Sequence, residues 1–169
     1  MLHANLIILL FFPAAMACAA SSDLVNMRIS NVLIVSLFLG FCLIAVIMQM
    51  PLREFGAHFA LAVAVLVAGF ALFSFGWIGG GDAKLAAATS LWLGLGQTLP
   101  FLVYAALIGG ALTLAILAVR QVPLPRALVS VPWIDRLHNK ASGVPYGIAL
   151  ALSGMIVYAD TSIFAHFAA

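Results

Sequence analysis

Long apolar runs without a formal charge constrain this chain more than anything else in it. Residues 57–77 carry no Asp, Glu, Lys or Arg, and neither do residues 85–95. A helix needs about 20 mostly apolar residues to cross the hydrocarbon core of a bilayer, and such runs recur along all 169 residues. Charged residues make up 7% of the chain, against about 25% in a soluble domain. That excludes a separate water-soluble domain of ordinary size. The reading is an all-α, polytopic membrane protein, with residues 1–169 as a single membrane-embedded domain. The net charge of +2 comes from bases scattered over short polar segments, which is not the pattern of a nucleic-acid binder.

Proline, glycine and polar residues divide the runs into about six spans, expected at residues 4–20, 32–50, 57–75, 83–96, 101–119 and 146–158, the last extending toward 164. Pro51 closes the second span, residues 52–56 read as a tight turn, and residues 97–100 read as a polar break. The fourth span is rich in alanine and carries Thr89 and Ser90; small residues let helices approach closely in lipid, so it is expected at the centre. Gly109 and Gly110 offer another close-packing site. Pro123, Pro125 and Pro132 prevent residues 120–144 from forming one helix. Within them, residues 133–138 (Trp133 to His138) read as a short amphipathic turn at the membrane interface. Residues 6–12, followed by Ala15 to Ala19, have the form of a signal-peptide core. No basic residue precedes them, so a retained first span is expected.

With six spans, the odd-numbered loops carry Arg28, Lys84, Arg120, Arg126, Arg136 and Lys140, and the even-numbered loops carry only Arg53. The excess of positive charge faces the cytoplasm. Both termini are therefore expected on the outer, periplasmic side, and Asp23 and Asp82 fall on one cytoplasmic face.

Ionisable groups at membrane depth are candidates for function. Glu54 beside Arg53, Asp135 beside Arg136, and Asp160 read as solvated loop or interface charges. Asp23 and Asp82 each mark the junction of a span with a short loop. Asp82 follows Gly79, Gly80 and Gly81, whose backbone can adopt φ > 0 and approach another chain closely. Two roles are open to it. It can cap a helix starting near Ala83, where a carboxylate is favourable, or it can form half of a pair with Asp23. Two carboxylates brought close together share one proton, so that one acts as base and the other as acid. Lys84 reads as a cytoplasmic anchor, or as a partner of Asp82 or of lipid phosphate.

Other chemistry has little support. His3, His58, His138 and His166 lack ligand spacing, so no metal or other cofactor is expected. Cys18 and Cys42 lie in apolar runs and read as packing residues. There is no G-x-S-x-G nucleophile motif.

At the two aspartates the sequence resembles the type IV prepilin peptidases, a branch of the GxGD membrane aspartic peptidases. It is most similar to their short form, which serves Flp/Tad pili. Three places carry the likeness. Asp23 with Arg28-Ile29-Ser30-Asn31 resembles the family's first aspartate and its downstream I-P-N. Gly79-Gly80-Gly81-Asp82-Ala83-Lys84-Leu85 resembles the GxGD segment and its trailing K-L. Val144-Pro145-Tyr146-Gly147 resembles the P-Y-G segment that opens the last helix. Ser30 stands where the family often has Pro. The long peptidases carry a cysteine-rich domain that is missing here, so N-methylation of the product is not expected.

The resemblance implies an endopeptidase of the bacterial inner membrane that removes prepilin or pseudopilin leaders at the cytoplasmic face. Asp23 and Asp82 would be its dyad. Gly79, Gly80, Gly81 and Lys84 would adjoin the substrate, with Arg28, Asn31, Pro145, Tyr146 and Gly147 in support. Beyond the prepilin, the only partner expected is the lipid bilayer. Two other classes remain open at this point. A small proton- or cation-coupled transporter would string its acids along a path inside the spans. A non-catalytic pilus-assembly scaffold would tolerate Asn at both aspartates.

Overall fold

The apolar runs fold as helices in the computed structural model, which describes residues 2–125, 128 and 130–168. The topological expectation for Arg126 lies outside the described residues. The elements are α1 (Leu2–Asn26), α2 (Asn31–Ile47), α3 (Leu52–Ser74), α4 (Gly80–Val119), α5 (Pro132–His138), α6 (Gly147–Tyr158) and α7 (Ser162–Ala168), with no strand among the described residues. By length and composition α1, α3 and α4 can each cross a membrane, and α6 with α7, bent by 55°, makes a fourth candidate. Helix α2 is apolar but shorter, at 17 residues.

Several helices run farther than their polarity suggests. Residues 21–26, expected in a loop, continue α1. The Ser21 hydroxyl donates back to the Ala17 carbonyl at 2.7 Å and that of Ser22 to the Arg28 carbonyl at 2.8 Å. Such local bonds satisfy a hydroxyl without ending the helix. Met27, with φ 52°, ends it. Residues 52–56 form the first turn of α3, not a separate turn, with Pro51 as N-cap. Proline costs little there, because the first N–H groups of a helix lack intrahelical partners. Helix α3 closes on Gly76 (φ 75°), whose N–H bonds Phe73 O at 2.9 Å while Trp77 N–H bonds Leu72 O at 3.0 Å. This is the Schellman arrangement.

The expected break at residues 97–100 is helical. The interruption in α4 comes earlier, at Gly94 (φ 68°, ψ −175°), a left-handed conformation suited to glycine. The neighbour at this break is on α3. The His58 ring packs against Gly94, where a Cβ would come within 2.6 Å of His58 Cε1. His58 Nδ1 lies 2.7 Å from the Leu91 carbonyl, and because a carbonyl only accepts, Nδ1 carries the proton. The histidine thus serves a carbonyl in the turn before the break. Thr98 donates to Gly94 O at 2.8 Å, so its polarity is satisfied inside the helix.

Helix α4 is the central element, packed on α2, α3 and α6. Trp92 is fully buried. It lies 5.7 and 5.3 Å from the rings of Phe11 and Phe12 and 6.4 Å from Tyr158, and its Nε1–H donates to Leu37 O at 2.9 Å. Small residues permit the close crossings: a Cβ on Gly69 would meet Ala83 Cβ at 2.9 Å, and one on Gly154 would meet Thr89 at 3.1 Å. Helix α3 buries only His58 and Gly69, and residues such as Val67 and Phe70 are more than 60% exposed. Its outward face is apolar, as contact with hydrocarbon requires.

Candidate active site

Three helix ends meet at the site. Asp23 lies in the last turn of α1 and is 6% exposed. Asp82 lies in the first turn of α4. Gly147 opens α6. The Gly147 N–H donates to Asp23 Oδ2 at 2.7 Å, and a Cβ on Gly147 would stand 2.8 Å from the same oxygen. Glycine is needed there for close approach, whatever its φ.

Asp82 does not occupy the N-cap. That position belongs to Gly79, and α4 starts at Gly80, before the expected Ala83. The Asp82 carboxylate reaches back to the Gly79 backbone N–H, as the acidic residue of a capping box does. A Cβ on Gly79 would lie 2.8 Å from Asp82 Oδ2. The negative charge also faces the positive end of the α4 dipole. Each aspartate therefore has a backbone amide donor at a glycine that no larger residue could replace without movement.

Asp23, Met27, Arg28, Ile29, Gly79, Gly80, Gly81 and Asp82 line one open cleft of about 270 Å³. Asp82 lies within reach of the Asp23 charge. Gly81 sits against Ile29, with a Cβ position 3.3 Å from the isoleucine Cβ. A cleft lined by two carboxylates can hold a water and a polarised carbonyl together. Among the described residues, no three His, Cys, Asp or Glu side chains converge to hold a metal ion.

The remaining sequence candidates divide. Tyr146 is a strut: its hydroxyl donates to Ala105 O at 3.0 Å and its ring covers Gly109. Pro145 is fully buried beside it. Gly110 faces open space, so only the first glycine of that pair is a close contact. Lys84 is not in the cleft lining; its Nζ donates to Asn31 Oδ1 at 3.0 Å and ties the start of α4 to the start of α2. Glu54 lies in the first turn of α3 and Asp135 in that of α5, away from the cleft lining.

Reading the sequence alone missed the amide of Gly147 as the donor to Asp23, although a glycine opening an apolar helix was a signal of close approach. It also missed Arg120, which is 8% exposed and bonds two carbonyls.

A model of the type IV leader peptidase family matches residues 10–114, a stretch that holds both Asp23 and Asp82 and all of α2 and α3. No curated protein and no solved structure gives a significant match.

Proposed function

The chain belongs to the type IV leader peptidase family, and from that premise we propose a membrane aspartic endopeptidase in which Asp23 and Asp82 activate water. Family membership makes it a peptidase of the prepilin leader kind. The observation carrying the mechanism is the shared cleft: residues on two different helices of the matched segment bring two carboxylates to the lining of one space. One carboxylate takes a proton from water as the water oxygen attacks the scissile carbonyl carbon. The other, protonated, gives its proton to the carbonyl oxygen. Collapse of the tetrahedral intermediate breaks the C–N bond: the proton held by the base passes to the leaving amine, and one hydroxyl of the intermediate returns its proton to the other carboxylate as the new carbonyl forms. The pair titrates as a unit, so base and acid belong to the dyad and not to fixed residues.

The cut falls at the cytoplasmic face of the bacterial inner membrane, and the substrate is a prepilin or pseudopilin of the Flp/Tad class. Gly79, Gly80 and Gly81 let the substrate backbone come close, with Arg28 at the cleft wall. Six crossings fit this layout. In this layout α4 supplies two crossings, one on each side of Gly94, α6 with α7 supplies one, and the 17 residues of α2 lie within the range of about 17–25 for a span. Both termini then lie outside. A relay transporter needs acids distributed along a path, whereas these two lie together at helix ends.

The test is cleavage of a co-reconstituted prepilin by wild type, Asp23→Asn and Asp82→Asn. Wild type is expected to release the leader and both variants to lose activity by more than about a thousandfold, the usual scale for removing a group essential to the chemistry. Normal processing by either variant would exclude the dyad.

A further inference from the structure

Asp23 and Gly147 are joined by one hydrogen bond, yet neither is held by its own helix interior. Asp23 lies near the end of α1, and Gly147 follows the connection that leaves α4 and runs through α5. Two arginines close that connection. Arg120, the C-cap of α4, is buried; its Nε donates to Leu137 O at 2.7 Å and its Nη2 to Gly143 O at 2.8 Å. Arg136, on α5, reaches the other way, its Nη1 donating to Val25 O at 2.8 Å.

The acceptors matter as much as the donors. Val25 and Leu137 lie in the last turns of α1 and α5, where carbonyls have no intrahelical donor and carry the negative end of the helix dipole. Val25 comes just after Asp23, and Gly143 just before Pro145-Tyr146-Gly147. The two guanidinium groups therefore fasten the backbone on both sides of the Asp23–Gly147 bond. A planar guanidinium can serve two carbonyls in fixed directions, which a lysine ammonium cannot do equally well.

We infer that α5 is a brace, and that Arg120 and Arg136 are positioning residues that set the place of the Asp23 carboxylate. The inference rests on the reading of Asp23 as one of the reacting pair. It gives the interfacial helix a task that its amphipathic sequence alone does not.

The test uses full-length protein in proteoliposomes with a prepilin substrate, comparing wild type, Asp23→Asn, Arg120→Gln, Arg120→Lys and Arg136→Gln. The measured quantities are kcat, KM and Tm. For Arg120→Gln, kcat is expected to fall by about tenfold or more with KM and Tm nearly unchanged, since small misplacement of a reacting group is costly. Arg120→Lys should recover part of the loss by keeping one of the two carbonyls. Arg136→Gln, exposed and removing a single bond, should lower kcat by a smaller factor; it decides the matter if Arg120→Gln does not fold. Unchanged kcat in the folded arginine variants would overturn the brace while leaving the dyad standing. A rise in KM alone would do the same, as would kcat and Tm falling together with Lys no better than Gln. Normal cleavage by Asp23→Asn would remove the dyad and the brace with it.

Discussion

Replacing Gly147 with alanine tests the site with the smallest possible change. The new Cβ would lie 2.8 Å from Asp23 Oδ2 and 3.1 Å from Asp23 Cβ. To regain ordinary contact, the carboxylate or the start of α6 must retreat by about half an ångström, on the scale at which misplacement of a reacting group slows turnover markedly. The bond from the Gly147 N–H to Oδ2, now 2.7 Å, is stretched or lost. A hydrogen bond to a charged group contributes about 1.5–3 kcal/mol, and each 1.36 kcal/mol is a factor of ten in rate. If the bond orients Asp23 in the transition state, kcat should fall by about 10- to 150-fold. The measurement is steady-state leader cleavage in proteoliposomes, with Tm in detergent as a control for folding. A folded Gly147→Ala protein with wild-type kcat would refute the proposed dependence of Asp23 on this amide.

Other expectations follow from the packing and the chemistry. Gly94→Ala forces a side chain into φ 68° against the His58 ring, and should destabilise the protein by about 1–3 kcal/mol in thermal or denaturant unfolding; an unchanged midpoint would mean that α4 can straighten. Of two adjacent glycines, Gly109→Ala collides with the Tyr146 ring whereas Gly110→Ala meets open space. The first should lower both activity and Tm, and the second should stay within about 0.5 kcal/mol of wild type. A dyad that works with one shared proton requires a bell-shaped pH dependence of kcat. At low pH both groups are protonated and the base is lost; at high pH both ionise and the acid is lost. A profile without an acid limb would count against it.

Much of the fold was legible because hydropathy in a bilayer is a strong constraint: the long charge-free runs became helices, and three of them are long enough to span. The boundaries were less legible. Polar residues read as breaks were in fact satisfied within a turn, as Ser21 is by Ala17 O and Thr98 by Gly94 O. At the break in α4 the neighbour is His58, which approaches from another helix, and no local pattern around Gly94 announces that contact. At the site, helix ends bearing a carboxylate were visible in the sequence. The bond from Lys84 to the Asn31 amide oxygen was not legible, because the two residues lie far apart in the sequence on different helices. Arg120 and Arg136 were counted as charges for topology, since a run of bases in a loop says nothing about which carbonyls they will meet.

The meeting of three helix termini has a consequence for how the reaction site can be altered. In a chain with so few polar side chains, the main chain itself solvates the carboxylates, through amides that no residue change short of proline can delete. Conventional alanine scanning would pass over this environment, because its key positions already lack a side chain to remove. Enlarging the glycines, not trimming their neighbours, is the way to perturb it.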